Sequence, residues 1–414
     1  MQTNPELQLA SDFIAFSSKN IFLTGRAGTG KTTFLHQLKA HSPKRMIVVA
    51  PTGVAAINAG GVTMHSFFQL PFTPFLPTHP PEGFNKMFRK EKINIIKSLD
   101  LVVIDEISMV RADVLDAVDA VLKRFRRNQK PFGGVQLLMI GDLQQLPPVV
   151  KDEEWNILKT VYRTPYFFSS QALNKTDYVT IELKQIFRQR DEEFIEILNN
   201  VRDNQLTSES LKMLNSRYVP NFQETSEERI IQLTTHRYQA QDINQKKLDA
   251  ITEEEYTFEA DVYDDFPEWS YPVEKSLKLK LGAQVMFTKN SPDKPPLFHN
   301  GKIGEIVDIS EHKIVVKCPG DEAEISVQRA EWKTIRYEID EETKAIHERV
   351  MGTFVQYPLR LAWAMTIHKS QGLTFDKVAI DARAAFAHGQ VYVALSRCKT
   401  LEGLVLTSKI DANC

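Results

Sequence analysis

The stretch from Gly25 to Thr32 reads GRAGTGKT; it follows the apolar run Ile21-Phe22-Leu23 and opens a helical pattern through Phe34, Leu35 and Leu38. Strand, glycine loop and helix in that order match the spacing G-x-x-x-x-G-K-[ST] in the setting where backbone N–H groups can converge on phosphate. Gly25, Gly28 and Gly30 allow positive φ and close approach of the backbone to an anion. Lys31 is then placed to reach the β and γ phosphates of a nucleotide, and Thr32 to hold a magnesium ion. A chance glycine turn before a helix is the competing reading, and the strand and helix on either side weigh against it.

Such a loop predicts an α/β fold, and the rest of the chain keeps the rhythm. Met46 to Ala50 reads as a buried strand ending in Pro51-Thr52-Gly53, and Leu101 to Ile104 as another, ending in Asp105-Glu106. Strands alternating with helices imply a parallel sheet with ligands at its carboxyl edge. There Asp105 would hold the magnesium through water and Glu106 would polarise the attacking water. Val135 to Ile140 is a further strand, followed by GDLQQLPP, whose Gln145 can report the γ phosphate without competing for the cation. Thr52, Gly53, His65 and Ser66 sit on strand ends or the loops after them, where helix capping and phosphate contact are equally good readings.

Between these elements lie two stretches of another kind. Residues 69 to 84 carry five prolines with Phe72 and Phe75 expected exposed between them, which suits either base stacking and strand separation or a packed surface loop. The helix Ala112 to Arg127 has a core stripe of Val114, Leu115, Val118, Val121, Leu122 and Phe125; its basic end (Lys123, Arg124, Arg126, Arg127, with Lys130) reads as a solvated face.

From about residue 165 the rhythm restarts. Tyr166 to Phe168 and Tyr178 to Leu183 read as strands, and Phe187-Arg188-Gln189 leads into a helix. Ile230 to Leu233 is a strand ended by Thr234-Thr235-His236. Residues 250 to 350 instead show short alternating strands with Asn300-Gly301 and Pro319-Gly320 turns, which predicts a small antiparallel barrel inserted in the second unit. Lys302 beside its turn is either a phosphate contact or a solvated lysine. The α/β pattern returns in Leu361 to Met365, the segment TIHKSQG and the strand Lys377 to Ile380. Arg188 and Arg397 are candidate arginine fingers, since a guanidinium forks onto phosphate oxygens.

Composition bounds the partners. Lys plus Arg (51) nearly balances Asp plus Glu (53), so any contact with a polyanion must be local. The three cysteines are far apart, which argues against a disulfide framework or a zinc site. The polar start MQTNPELQ and the lack of an eighteen-residue apolar span predict a soluble, intracellular protein that is not associated with a membrane.

Taken in order, GRAGTGKT, APTGVAA, TMHSFF, VIDEISM, PFGG with GDLQQLPPV, FRQ, TIHKSQGLTFD and VYVALSR resemble the motifs of superfamily 1 B-type helicases, and most closely the Pif-one (petite integration frequency) family. Its signature segment is represented by Met109 to Gly134. The resemblance covers nearly the whole chain and implies two RecA-like domains binding ATP and Mg2+, with translocation 5′ to 3′ on single-stranded DNA. It implies a first domain over 1–164 with a wedge insertion at 66–84. A second domain is implied over 165–233 and 350–414, with an inserted SH3-like barrel subdomain over 234–349. Residue by residue it implies Lys31, Asp105, Glu106, Gln145, Arg188 and Arg397 as the catalytic set, and Thr32 with Asp105 as magnesium ligands. The nucleotide contacts become Gln8, Gly28, Thr29, Gly30, Lys31, Thr32, Thr33 and Gly372. Thr52, Gly53, His65, Ser66, His368 and Ser370 match DNA-contacting motifs, joined by the candidates Phe72, Thr234 and Lys302. The segment around Gln8 reads NPELQ where the family more usually has N-x-E-Q. A monomeric motor acting on single-stranded, forked or structured DNA with replication or repair partners is expected. A RecD-type subunit of a nuclease complex and a non-hydrolysing nucleotide switch are the alternatives.

Overall fold

The strands Asn20–Gly25, Met46–Ala50, Leu101–Ile104 and Gln136–Ile140 are buried along nearly their whole length and therefore need cover on both sides, which is the condition for a parallel sheet between helices. The computed structural model describes residues 4–411 apart from 83, 85–86, 190, 221, 223–229, 294–295, 341, 344–345 and 382–388. In chain order the first elements are α1 (Pro5–Phe16), β1 (Asn20–Gly25), α2 (Lys31–His41), β2 (Met46–Ala50), α3 (Gly53–Asn58), β3 (Val62–Thr63) and α4 (Met64–Phe68). They continue with α5 (Lys90–Ser98), β4 (Leu101–Ile104), α6 (Ala112–Arg126), β5 (Gln136–Ile140), α7 (Asp152–Leu158) and β6 (Tyr178–Leu183). The sheet has the order β3-β2-β4-β5-β1-β6, with every pair parallel.

Alternate strand residues face opposite layers. Ile21, Leu23, Val103, Leu138 and Ile140 pack on α1 and α2, while Phe22, Ile47, Val102, Ile104 and Met139 pack on α4, α5 and α6.

The second half begins with α8 (Glu192–Arg202), α9 (Ser208–Asn215), β7 (Ile231–Thr234) and α10 (Arg237–Asp249). Ten short strands follow: β8 (Glu255–Glu259), β9 (Asp261–Asp264), β10 (Ser276–Lys280), β11 (Gln284–Phe287), β12 (Ile303–Ser310), β13 (Lys313–Lys317), β14 (Ile325–Val327), β15 (Ala330–Ile339), β16 (Ile346–Gln356) and β17 (Leu359–Leu361). The chain ends with β18 (Ala364–Thr366), α11 (Ile367–Ser370), β19 (Val378–Ile380), α12 (Gln390–Leu395) and β20 (Leu404–Leu406). A second parallel sheet runs β18-β7-β19-β20, and the inserted strands form separate sheets led by the five-stranded β14-β13-β12-β11-β17, antiparallel throughout.

The chain divides into two compact units, Met1–Phe187 with Thr334–Met351, and Arg188–Lys333 with Gly352–Cys414. Two expected boundaries therefore move. The first unit runs past 165 to 187 because β6 pairs along its whole length with β1. Residues 334–349, expected in the inserted subdomain, join the first unit together with 350–351 because Tyr337 is buried in its core, where its hydroxyl accepts the Val48 N–H at 3.2 Å. Tyr166 to Phe168, expected as a strand, instead leads into a single 3-10 turn over Phe167–Ser169, with the Phe167 ring packed on Phe22. Cys318 and Cys398 are buried and in no disulfide, and Cys414 lies outside the described residues. Among the described residues no helix is long and apolar enough to cross a membrane.

Candidate active site and nucleic-acid interface

In the first unit, β4, β5 and β1 are neighbours, so the segments leaving their carboxyl ends meet. After β1, Gly28 and Gly30 have φ of 81° and 88°, conformations open to glycine, and α2 starts at Lys31. The Lys31 ammonium folds over the loop, donating to the carbonyls of Gly25 at 2.6 Å and Arg26 at 3.0 Å. Thr29 is buried and its hydroxyl donates to the Arg26 carbonyl, while Thr32 and Thr33 are exposed in the first turn of α2. Gln8 lies on the exposed side of α1, where its amide donates to Asp12.

After β4, Asp105 is buried, and burial pushes its carboxyl up to about 6 against the opposing effects of the Glu106 N–H and the Lys31 charge. A cation beside this carboxylate would restore its ionised form, and the Asp105 carboxylate with the Thr32 hydroxyl is a hard-oxygen donor pair of the kind magnesium takes. Glu106 follows in the left-handed region, φ 51° and ψ 45°, which is uncommon for a residue with a side chain and turns it away from the strand direction. After β5, Gln145 is buried, with its amide donating to Asp142 at 3.2 Å and its backbone N–H donating to the Asp142 carbonyl. Asp142, itself buried, also accepts the Gln144 N–H. Sequence reasoning passed over Asp142, although a strand-end Asp two residues before a turn amide is a recognisable Asx pattern.

In the second unit, Arg188, Gly372 and Arg397 are brought together. Arg188 donates to the carbonyls of Ser396 at 3.3 Å and Gly372 at 3.2 Å, and burial pushes its guanidinium down to about 10. Arg397 is fully buried and donates to the carbonyls of Val393, Ser370 and Leu373 and to the Ser396 hydroxyl. Gln189, not singled out from the sequence, donates to the carbonyls of Ser396 and Cys398 and so fixes the same turn.

The nucleic-acid candidates fall in groups. Thr52 caps α3 by accepting the Ala55 N–H, with Gly53 the first residue of that helix. Ser66 is exposed on α4, and Lys92 donates to its carbonyl. The His65 ring stacks on Phe72 at 4.8 Å and 10°, and burial lowers the pKa of that imidazole. Phe72 is 82% exposed, as expected, but Phe75 is buried against Phe84 and its N–H is taken by Asp113. In the second unit, Thr234 ends β7 and is buried; His368 is half-buried with a lowered pKa; Ser370 is buried and donates to the Ile367 carbonyl. Lys302 is paired with Asp321 and is therefore not a freely solvated lysine.

The helix α6 differs most from its sequence reading. Asp113, Asp116 and Asp119 are buried. Asp116 accepts from Tyr162, Ser170 and the N–H groups of Gln171 and Ala172; Asp119 accepts from the Phe132 N–H. Arg126, expected on a solvated face, donates to the carbonyls of Gly133, Ile96, Lys97 and Leu99, because α6 ends where α5 and the PFGG turn leave those acceptors open.

A family model described as PIF1-like helicase matches residues 8–212, and one described as Helicase matches residues 337–410. The ATP-dependent DNA helicase PIF1 of Danio rerio is 34% identical over 94% of this chain, and the chain spans 58% of that relative's length. ATP-dependent DNA helicase Pif1 of Bdellovibrio bacteriovorus is 32% identical, with 98% of this chain and 88% of the relative covered. Bacteroides sp Pif1 in complex with ADP-AlF4 superposes with a TM-score of 0.92 at 41% identity, covering 99% of this chain and 93% of that one. Bacteroides Pif1 bound to ssDNA superposes at 0.69, again at 41% identity, over 100% and 93%. With its motifs in the family's order and its two parallel-sheet units matching solved members, the chain belongs to the PIF1-like helicases.

Proposed function

We propose that this chain is an ATP-dependent DNA helicase that moves 5′ to 3′ along single-stranded DNA. The observation that carries the proposal is the meeting, at the ends of three adjacent strands, of a phosphate-cradling loop, the buried Asp105 followed by a half-buried Glu106, and the Gln145 turn. Lys31 would leave the loop carbonyls for the β and γ phosphates, with Gly28, Thr29, Gly30, Thr32 and Thr33 around them and Gln8 toward the base. Thr32 and Asp105 would hold magnesium, which when bound offsets charge on the phosphate oxygens. Glu106 orients and deprotonates the attacking water, and Gln145 registers the γ phosphate. Arg188 and Arg397, set on the Gly372 turn, supply the charge that stabilises the transferring phosphoryl group. Thr52, Gly53, His65, Ser66, Thr234, Lys302, His368 and Ser370 are assigned to the DNA path, and Phe72 on His65 to a stacking platform in a strand-separating wedge at 66–84. Homologues named as ATP-dependent DNA helicases and the ssDNA-bound Bacteroides structure support this reading. We propose further that it is a monomeric motor acting on DNA in a bacterial-type cytoplasm, associated with the nucleoid.

The test is ATP hydrolysis with and without single-stranded DNA, for the native chain and Lys31→Ala, followed by unwinding of duplexes tailed at the 5′ or the 3′ end. DNA-stimulated hydrolysis lost in the variant, with unwinding from the 5′ tail alone, is expected. Hydrolysis indifferent to DNA, or unwinding from the 3′ tail, would overturn the assignment.

A further inference from the structure

We infer that the second unit carries a pocket for a single nucleobase of the bound strand, guanine before the others, on the face of Tyr238. The inference rests on the reading of the chain as a single-stranded DNA motor. The parallel strands β7 and β19 are neighbours, with Leu233 in register with Ile380, so Thr234 and Asp381 leave the sheet side by side at its ligand-binding edge. A cavity of about 570 Å³ opens there, lined by Thr234, Tyr238, Gln239, Asp242, Ile243 and Asp381.

Three features select the ligand class. Tyr238 is 66% exposed, so its ring is not part of a core, and the neighbouring His236 ring, 5.5 Å away and tilted by 49°, leans against it. An aromatic face open to solvent beside a cavity stacks any base. The polar groups of the lining are the carboxylates of Asp242 and Asp381, the amides of Gln232 and Gln239, and the hydroxyls of Thr234 and Tyr238. Carboxylates repel backbone phosphate, so what enters is the base and not the chain. They accept hydrogen bonds, and guanine presents N–H donors from its ring and its exocyclic amine side by side, matching the two oxygens of one carboxylate, whereas thymine offers a single ring N–H. Lys246, one helical turn on, donates to Oδ2 of Asp242 at 2.7 Å.

The test is fluorescence anisotropy with oligothymidylates of about ten nucleotides, unmodified or carrying one guanine, one inosine or one abasic site at a walked position. It is run on the native chain, Tyr238→Ala, Tyr238→Phe and Asp242→Asn, with circular dichroism to confirm folding. In the native chain one guanine should tighten binding by about tenfold and inosine by less. Tyr238→Ala should weaken binding by about tenfold while Tyr238→Phe retains it, and Asp242→Asn should erase the difference between guanine and inosine. Tyr238→Ala binding like the native chain, or a native chain blind to guanine and to abasic sites at every position, would overturn the pocket. A native chain that binds none of the oligonucleotides would instead overturn the single-stranded DNA reading itself.

Discussion

Asp105→Asn should make the metal-free protein more stable while ending its proposed hydrolysis. The carboxyl is buried and its pKa stands at about 6, up from 3.8. A carboxyl whose pKa rises on folding binds more protons in the native state, so stability falls as pH rises through that interval and the penalty is complete above the folded value. At about 1.4 kcal/mol for each tenfold change in proton affinity, this rise gives roughly 3 kcal/mol at pH 8, falling to about half of that at pH 5. Asparagine keeps an oxygen to accept the Glu106 N–H and carries no charge to desolvate. For a unit of this size about 3 kcal/mol corresponds to a rise in melting temperature on the order of 6–12 °C. The assay is thermal unfolding of both proteins in chelator at pH 8 and pH 5, with ATP hydrolysis measured on the same samples plus magnesium. Equal or lower stability of Asp105→Asn at pH 8, or a gain that does not shrink at pH 5, would refute the reasoning that burial alone strains this site.

Three further outcomes are expected. Gly141→Ala builds a Cβ 2.9 Å from Ile107 Cγ2 and 3.1 Å from the Ile107 nitrogen, in the turn that carries Glu106; kcat for ATP should fall about tenfold or more with KM little changed, which steady-state kinetics would read. Asp113→Ala frees the Phe75 N–H and breaks the pair with Arg111; duplex unwinding should fall about tenfold while DNA-stimulated hydrolysis persists, and equal loss of both would remove the 66–84 wedge from the proposal. Arg126→Ala strands carbonyls of two neighbouring segments and should lower stability by about 2–3 kcal/mol in denaturant unfolding.

The amino-acid sequence by itself determined the parallel-sheet class and the strand edge at which the proposed nucleotide site lies. Those features are written in local chemistry: glycines where the backbone needs positive φ, apolar runs where a strand is covered on both faces, and carboxylates or amides one step past the strand end. Gly28, Gly30, Asp105, Glu106 and Gln145 were legible for that reason. Only the tertiary structure decided what depends on a partner far along the chain. The buried Asp113, Asp116 and Asp119 look like the polar side of an amphipathic helix until Phe75, Tyr162, Ser170 and Phe132 arrive to donate to them. Arg126 looks solvated until the end of α5 presents its carbonyls. Tyr337, within a run of alternating strands, takes its place in the first unit because the Val48 N–H and the Phe67 ring wait there. A side chain's type and spacing state what it needs, and only the fold supplies the neighbour that meets the need.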